Sequence, residues 1–152
     1  MVKVLRWAFT LVFLLVGVFA FSSEINGGIM YSFVGKLFYS GEFNSLALVK
    51  NAPNTTSGFT VLFATDLEKH YLSLGGIAKY DVKLDFGVIA LYGMGGMFVP
   101  INDFGFEKIT SIVRIGAKYY FGSFSVNSGL FSFYLIDNTK VEGIEFSFGY
   151  AF

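Results

Sequence analysis

The last ten residues of the chain alternate strictly between two kinds of side chain. In the sequence GIEFSFGYAF, every second position is large and apolar, and the positions between them are small or polar. The large set is Ile144, Phe146, Phe148, Tyr150 and Phe152. Because successive side chains of a β-strand point to opposite faces, a period of two predicts a strand with one large apolar face and one small face.

The same contrast recurs along the chain. It is clearest at 25–37, 82–92 and 109–121, and less regular at 43–50, 58–65, 69–80 and 124–136. With the last strand, these runs predict eight strands. Tyrosines on the large face are the expected interfacial girdles of a membrane barrel, and the candidates are Tyr31, Tyr80, Tyr92, Tyr119 and Tyr150.

The composition indicates contact with lipid. The chain has 152 residues, of which 54% are hydrophobic and only 14% are charged, whereas about a quarter of a soluble domain is charged. Eleven basic residues balance eleven acidic residues, so we expect no nucleic-acid partner. The chain has no cysteine, which excludes disulfides and thiolate metal sites.

The first twenty residues have the pattern of a secretory signal peptide. Lys3 and Arg6 precede an apolar run from Trp7 to Phe21, and small residues follow. Val18 and Ala20 fit the positions that signal peptidase reads, which predicts cleavage after Ala20; cleavage after Ser22 is an alternative. An uncleaved anchor is the rival interpretation, although a spanning helix needs about 20 apolar residues.

The remaining residues, 21–152, are predicted to form one domain. No stretch beyond Phe21 approaches 18 uncharged apolar residues, so this part of the chain cannot cross a membrane as helices. A closed β-barrel is the other structure that satisfies all of its backbone hydrogen bonds in lipid. A soluble lipocalin-like barrel would need an outer face rich in charge, but the second face here is mainly Gly, Ser and Ala. We therefore predict an all-β fold: a closed, antiparallel, up-and-down transmembrane β-barrel of eight strands, with the large face toward lipid. The predicted connections include 39–42, Tyr80-Asp81 and Gly122-Ser123.

A few charged residues fall on the small face, which points into the barrel. Extending the register from the predicted turns places Arg114 level with Glu145, and Asp85 beside Lys118. Charges in a narrow low-dielectric lumen should pair, because an unpaired one costs several kcal/mol. We predict a polar lumen network of Asp85, Arg114, Lys118 and Glu145. It either plugs the barrel or forms a constriction that passes ions and small solutes.

The chain resembles the small eight-stranded outer-membrane barrels, namely the OmpX-like proteins and the membrane domain of the OmpA family. The resemblance covers roughly residues 24–152 and is strongest in the terminal strand that ends at Phe152. It implies an outer-membrane location in a bacterium with two membranes, lipid contact, and recognition by the barrel-assembly machinery. The proposed assembly signal is Ile144, Phe146, Phe148, Tyr150 and Phe152. We expect a monomer.

The sequence offers little evidence of catalysis. Some barrels of this kind are lipid A deacylases with a His and a Ser two residues apart, but Ser73 is three residues from His70, the single histidine. One His and no Cys make no metal site, and no cofactor motif is present. We therefore predict that the chain is not an enzyme and has a structural role in envelope integrity. The alternatives are a narrow porin-like pore and, third, a lipid-modifying enzyme.

Overall fold

The computed structural model describes residues 22–102, 105–135, 137 and 139–152. The predicted signal peptide at residues 1–20 lies outside these residues, and so do its cleavage site and the domain boundary at residue 21. Within the described part of the chain, no helix is both long enough and apolar enough to cross a membrane.

Eight strands form one closed antiparallel barrel in which each strand pairs with the next and the first pairs with the last. This confirms the predicted all-β barrel. A short 3-10 helix, Phe106–Lys108, lies between the fifth and sixth strands. The strands are β1 Ser22–Ser32, β2 Leu37–Leu48, β3 Thr55–Thr65, β4 His70–Leu84, β5 Gly87–Pro100, β6 Thr110–Phe121, β7 Phe124–Tyr134 and β8 Lys140–Ala151.

The two ends of the barrel differ in what they carry. We call the end with Ser22 and Phe152 the terminal end; its connections are 49–54, 85–86 and 122–123. The opposite, distal end carries the connections 33–36, 66–69, 101–109 and 135–139. The tight turn at Gly122 has a φ of 66°, a conformation that glycine adopts without steric cost. This turn matches the predicted hairpin at Gly122-Ser123.

Alternation along the strands separates a lipid-facing surface from the lumen. Phe148 is 71% exposed on the outside, whereas Phe133, on the neighbouring strand, is fully buried inside. Large apolar side chains cover most of the outer face, as the sequence predicts. The lumen is not lined only by small residues, however, because several aromatic side chains also point inward.

Two predicted connections are wrong. Residues 39–42 lie inside β2, because the chain turns earlier, where Gly35 has a φ of 83°. Tyr80 and Asp81 lie inside β4, which continues to Leu84.

The true turn between β4 and β5 is Asp85-Phe86, and it reverses the parity of the next strand. Leu84 pairs with Gly87, so these two residues share a face. Even-numbered residues therefore face lipid on β4 but face the lumen on β5. For this reason Tyr92 is buried in the lumen at 7% exposure, and its predicted place in a girdle is wrong.

Candidate functional site

The distal half of the lumen is filled by an aromatic layer. The rings of Phe98 and Phe133 lie 4.4 Å apart, and Tyr71 stacks on Phe98 at 4.9 Å. Phe38 meets Phe133 edge to face at 5.5 Å, and all of these rings are buried. Phe131 stacks against Phe133 at 5.6 Å. We call these five residues the aromatic layer; it occupies the lumen just inside the distal connections.

An arginine cluster lies next to this layer, toward the terminal end. Arg114 donates from Nε and Nη2 to the two carboxylate oxygens of Glu145, at 2.7 and 3.1 Å. Its Nη2 also lies 2.8 Å from a carboxylate oxygen of Glu42. The Tyr92 hydroxyl donates to Glu145, and the Asn44 amide donates to Glu42 at 2.6 Å. One buried guanidinium thus holds two carboxylates, each of which has a further donor.

A lysine cluster fills the lumen near the terminal end. Lys118 donates to Glu24 at 2.8 Å and to the Asn26 side-chain oxygen at 3.0 Å. Lys79 and the Tyr120 hydroxyl both donate to the other Glu24 oxygen. The ammonium of Lys79 also lies over the Tyr120 ring, 4.9 Å from its centre. A single carboxylate therefore receives two ammonium groups and a phenol.

The two clusters balance each other in charge. The arginine cluster carries one cation and two carboxylates, and the lysine cluster carries two cations and one carboxylate. Together they bring three acids and three bases into the lumen with no net charge. A cavity of about 260 Å³ leads from the terminal end to the lysine cluster and is lined in part by Glu24, Lys79 and Asp81.

The structure brings some of the predicted lumen residues together and separates others. Arg114 and Glu145 are in direct contact, and Lys118 is buried in the lysine cluster rather than beside Asp85. The placement of Asp85 is wrong: it lies exposed in the turn between β4 and β5, and Ala90 occupies the position beside Lys118. The register error of five residues arises in the connection between β5 and β6: the pairing of Phe98 with Thr110 places the centre of this connection later in the chain than the predicted centre between Ile101 and Asn102.

Three charged members of the two clusters are absent from the predicted network. Glu42 falls in a predicted connection, Lys79 at the end of a predicted strand, and Glu24 directly behind the predicted signal peptide. Recognising the FVGK segment as the first turn would have placed Glu42 on the inward face of β2, because Phe38, Glu42 and Asn44 share parity.

The proposed assembly signal lies on β8 and the residue after it. Phe146, Phe148, Tyr150 and Phe152 are 47%, 71%, 47% and 57% exposed on the lipid-facing side, and Ile144 is half-buried on the same face. The Tyr150 ring packs near Phe124 of β7, at 5.4 Å.

Tyrosines gather at both edges of the lipid-facing surface. At the terminal end, Tyr80, Tyr119 and Tyr150 lie near their strand ends, and at the distal end Tyr31 and Tyr39 do the same. With Tyr134 on β7, these residues form two rings at the edges of the apolar surface, as expected at membrane interfaces.

A hydroxyl–imidazole pair lies on the outer surface at the distal end. The Thr65 hydroxyl lies 2.8 Å from Nδ1 of His70, and the His70 ring stacks on Phe63 at 5.9 Å. Ser73 is fully buried on the lumen side, so it cannot pair with His70. In the part of the chain that the structure describes, no group of three His, Cys, Asp or Glu residues could hold a metal ion.

An apolar groove runs along the outer face directly below this pair. It measures about 300 Å³ and is lined by Leu72, Leu74, Met97 and Val99, with Pro100 and Ile101 at its distal end. Pro100 also lines a second cavity, of about 370 Å³, together with His70 and Lys69. His70 therefore lies near the distal end of the groove, where Pro100 lines both cavities.

Comparison with known proteins identifies the architecture. No family model matches the sequence. No curated protein matches it either. Among solved structures, the outer membrane enzyme PagL superposes with a TM-score of 0.65 at 13% identity, covering 84% of this chain and 98% of PagL.

Two further solved structures share the barrel. A de novo designed transmembrane β-barrel gives a TM-score of 0.63 at 13% identity, covering 86% of this chain and 95% of the design. The N-terminal β-barrel domain of Pseudomonas aeruginosa OprF gives 0.55 at 18% identity, covering 86% and 97%.

These likenesses correct one prediction. The inference that the chain is not an enzyme is wrong, because an outer membrane enzyme is among the solved barrels with this architecture. A lack of catalysis therefore does not follow from a small closed barrel. The chain has the fold of the small eight-stranded outer-membrane β-barrels, the group that includes the OmpX-like proteins and the membrane domains of OmpA-type proteins.

Proposed function

We propose that the protein is a closed structural barrel that contributes to the integrity of a bacterial outer membrane. The observation that carries this proposal is the filled lumen: an aromatic layer, an arginine cluster and a lysine cluster follow one another along the barrel. A barrel of eight strands has an interior that side chains can fill. Each of the three layers presents buried side chains rather than an aqueous path.

The physics of ion passage supports a closed state. An ion moving through the lumen would have to displace Arg114 from two carboxylates, and an uncompensated buried charge costs several kcal/mol. It would then meet the aromatic layer, which offers neither charge nor room for a hydration shell. Apolar constrictions of this type block conduction by excluding water. The porin-like alternative would require both obstacles to move.

The same proposal includes the route to the membrane. The signal peptide at residues 1–20 would direct export. An even number of strands places both chain ends at the terminal end, and this end, with its two-residue turns, would face the periplasm, where the turns of outer-membrane barrels are short. The exposed Phe148, Tyr150 and Phe152 on the last strand would be read by the assembly machinery before the barrel closes. The folded protein would be a monomer in outer-membrane lipid.

A cellular experiment tests the structural role. Cells without the protein should become more sensitive to detergents and large antibiotics, and the native chain should restore resistance. A His70→Gln variant serves as the matched control, because it leaves the lumen and the strand pairing untouched. Restoration by both chains supports the structural role. Unchanged sensitivity in the deletion strain, or restoration that depends on His70, would contradict it.

We propose a lipid-modifying activity at the distal rim as a second candidate function. The observation that favours it is the Thr65–His70 pair at 2.8 Å, which lies above the apolar groove. In the tautomer whose Nδ1–H donates to the Thr65 hydroxyl oxygen, Nε2 carries no proton and can accept one. It would take that proton from a water molecule whose oxygen attacks a lipid ester carbonyl, and the alcohol would leave with a proton. The likeness to the outer membrane enzyme PagL adds support.

The assay for this second candidate is direct. The refolded protein is incubated with vesicles of phospholipid and lipopolysaccharide, and the lipids are analysed by mass spectrometry. A hydrolase releases fatty acid, and both His70→Gln and Thr65→Val reduce the release. No release from either lipid, or release that His70→Gln leaves unchanged, would remove His70 as the base.

A further inference from the structure

The hairpin between β4 and β5 keeps an apolar outer face all the way to its tip. β4 and β5 are the longest strands, at 15 and 14 residues, and a turn of only two residues joins them. Along this hairpin the lipid-facing positions are Tyr80, Val82, Leu84 and, in the turn, Phe86. Val82 is 40% exposed and Phe86 is 74% exposed. The apolar surface thus continues beyond the tyrosine ring at the terminal end.

The tip of this hairpin is held in a defined position. The hydroxyl of Tyr119 on β6 donates to the Phe86 carbonyl at 2.8 Å, and the two rings lie 6.3 Å apart. A Cβ at Gly87 would lie 2.6 Å from the backbone carbonyl of Tyr120, so only glycine permits this close approach. The exposed Phe86 ring is therefore presented by an anchored turn.

The apolar outer surface ends sooner on the neighbouring strand, β3. On β3, Ser57 and Thr55 occupy the outer face beside Ala78 and Tyr80 of β4. Ser57 is exposed, and the connection 49–54 that precedes β3 exposes Lys50, Asn51, Pro53 and Asn54. The apolar border thus ends near Ser57 on this side of the barrel, but extends to Phe86 on the β4–β5 side.

We propose that the β4–β5 hairpin is a wedge inserted among the acyl chains of the leaflet at the terminal end. Phe86, Leu84 and Val82 continue the face that carries Ile89 and Leu91, which belong to the lipid-facing surface of the barrel. An uneven apolar border is accommodated by tilting. The barrel sits tilted, with its β4–β5 side deeper in that leaflet than its β2–β3 side.

The charged residues of the hairpin are compatible with this position. Lys83 alternates with Val82 and Leu84 and faces away from the apolar side, and Asp85 lies in the turn itself. Both can reach the headgroup region while the apolar residues between them contact lipid tails. This wedge is independent of whether the lumen is closed and of any chemistry at His70.

Tryptophan fluorescence tests the wedge, because the chain has a single tryptophan, Trp7. In a Trp7→Phe background, Phe86→Trp places the only fluorophore at the tip. Leu91→Trp is the lipid-facing reference and Lys50→Trp is the solvent reference at the same end. The proteins are refolded into phosphatidylcholine vesicles with or without bromine on the acyl chains, and folding is verified by gel mobility.

The wedge predicts that Phe86→Trp emits at a blue-shifted maximum and is quenched by the brominated lipid, as Leu91→Trp is. Lys50→Trp should emit as in water and respond to iodide instead. A Phe86→Trp signal that matches Lys50→Trp would overturn the proposal, because the tip would then lie in water. If Phe86→Trp does not fold, Val82→Trp decides by the same criteria.

Discussion

Replacing Arg114 with methionine tests the energetic role of the arginine cluster. Arg114 is 3% exposed and contacts the carboxylates of Glu42 and Glu145. Methionine keeps much of the side-chain volume but removes the charge and its donors, which leaves two buried carboxylates facing each other. Breaking a buried ion pair from one side costs about 3–5 kcal/mol. We expect a loss of this size in the free energy of unfolding.

The measurement is urea unfolding of the protein in lipid vesicles, followed by the gel mobility of the folded band. A Glu145→Gln variant and the double variant complete a thermodynamic cycle. Because the two residues share two hydrogen bonds, the double variant should cost less than the sum of the single variants, by about 1–3 kcal/mol.

The control is Lys140→Met, which breaks the half-exposed pair between Lys140 and Glu142. Exposed pairs contribute about 0–1 kcal/mol, so this variant should unfold almost as the native chain does. If Arg114→Met also loses no more than about 1 kcal/mol, or if the cycle shows additive effects, the cluster does not stabilise the barrel as argued.

Three further predictions concern other parts of the barrel. Phe98→Ala should destabilise the barrel by about 3–5 kcal/mol by opening a cavity in the aromatic layer, whereas lipid-facing Phe148→Ala should cost far less in the same urea titration. The Thr139 backbone N–H donates to Asp137 at 3.0 Å and holds the pKa of that carboxyl below its usual value. Any stability this bond provides is present above the usual carboxyl pKa and is lost as the pH falls through the lowered pKa of Asp137. Titration of the Asp137 carboxyl by NMR in micelles should show this low pKa, and a normal pKa would refute the bond. Phe152→Ser should slow assembly in the presence of the assembly machinery and leave unassisted refolding in detergent nearly unchanged; equal rates with the machinery would remove Phe152 from the signal.

The sequence predicts the architecture because the two faces of each strand meet different media. Lipid selects large apolar residues such as Phe146 and Phe148 on one side, while the small interior of the barrel limits the other side. This contrast repeats with period two along most of the chain, so the strand count and the closed fold follow from it. The turn at Gly122-Ser123 also gives the correct pairing of Lys118 with Asn127.

The lumen is harder to predict because parity must be carried across every turn. A two-residue turn at Asp85-Phe86 leaves no run of polar residues, so the sequence continues as though one strand extended through it. When this turn is missed, every residue of β5 is assigned to the wrong face. Tyr92 and Phe98 are then placed on the lipid-facing side instead of in the lumen. The inward aromatic residues carry no separate signal, since a Phe on a strand fits lipid and a packed lumen equally well.

The cluster contacts are beyond sequence reasoning for a further reason. Arg114 and Glu42 come from strands that are not neighbours, and their contact depends on how the barrel closes. The stagger of the strands around the barrel decides which inward charges share a level. That stagger is the sum of eight registers, so one misplaced turn changes several partners at once.

Single-channel conductance in a planar lipid bilayer tests the closed lumen most directly. The native protein should insert without stable conducting steps, because the aromatic layer and the two clusters fill its interior. A variant with Phe38, Phe98 and Phe133 all changed to alanine should show more frequent openings, if it folds by gel mobility. Stable, uniform openings of the native protein would contradict the account and favour the narrow pore.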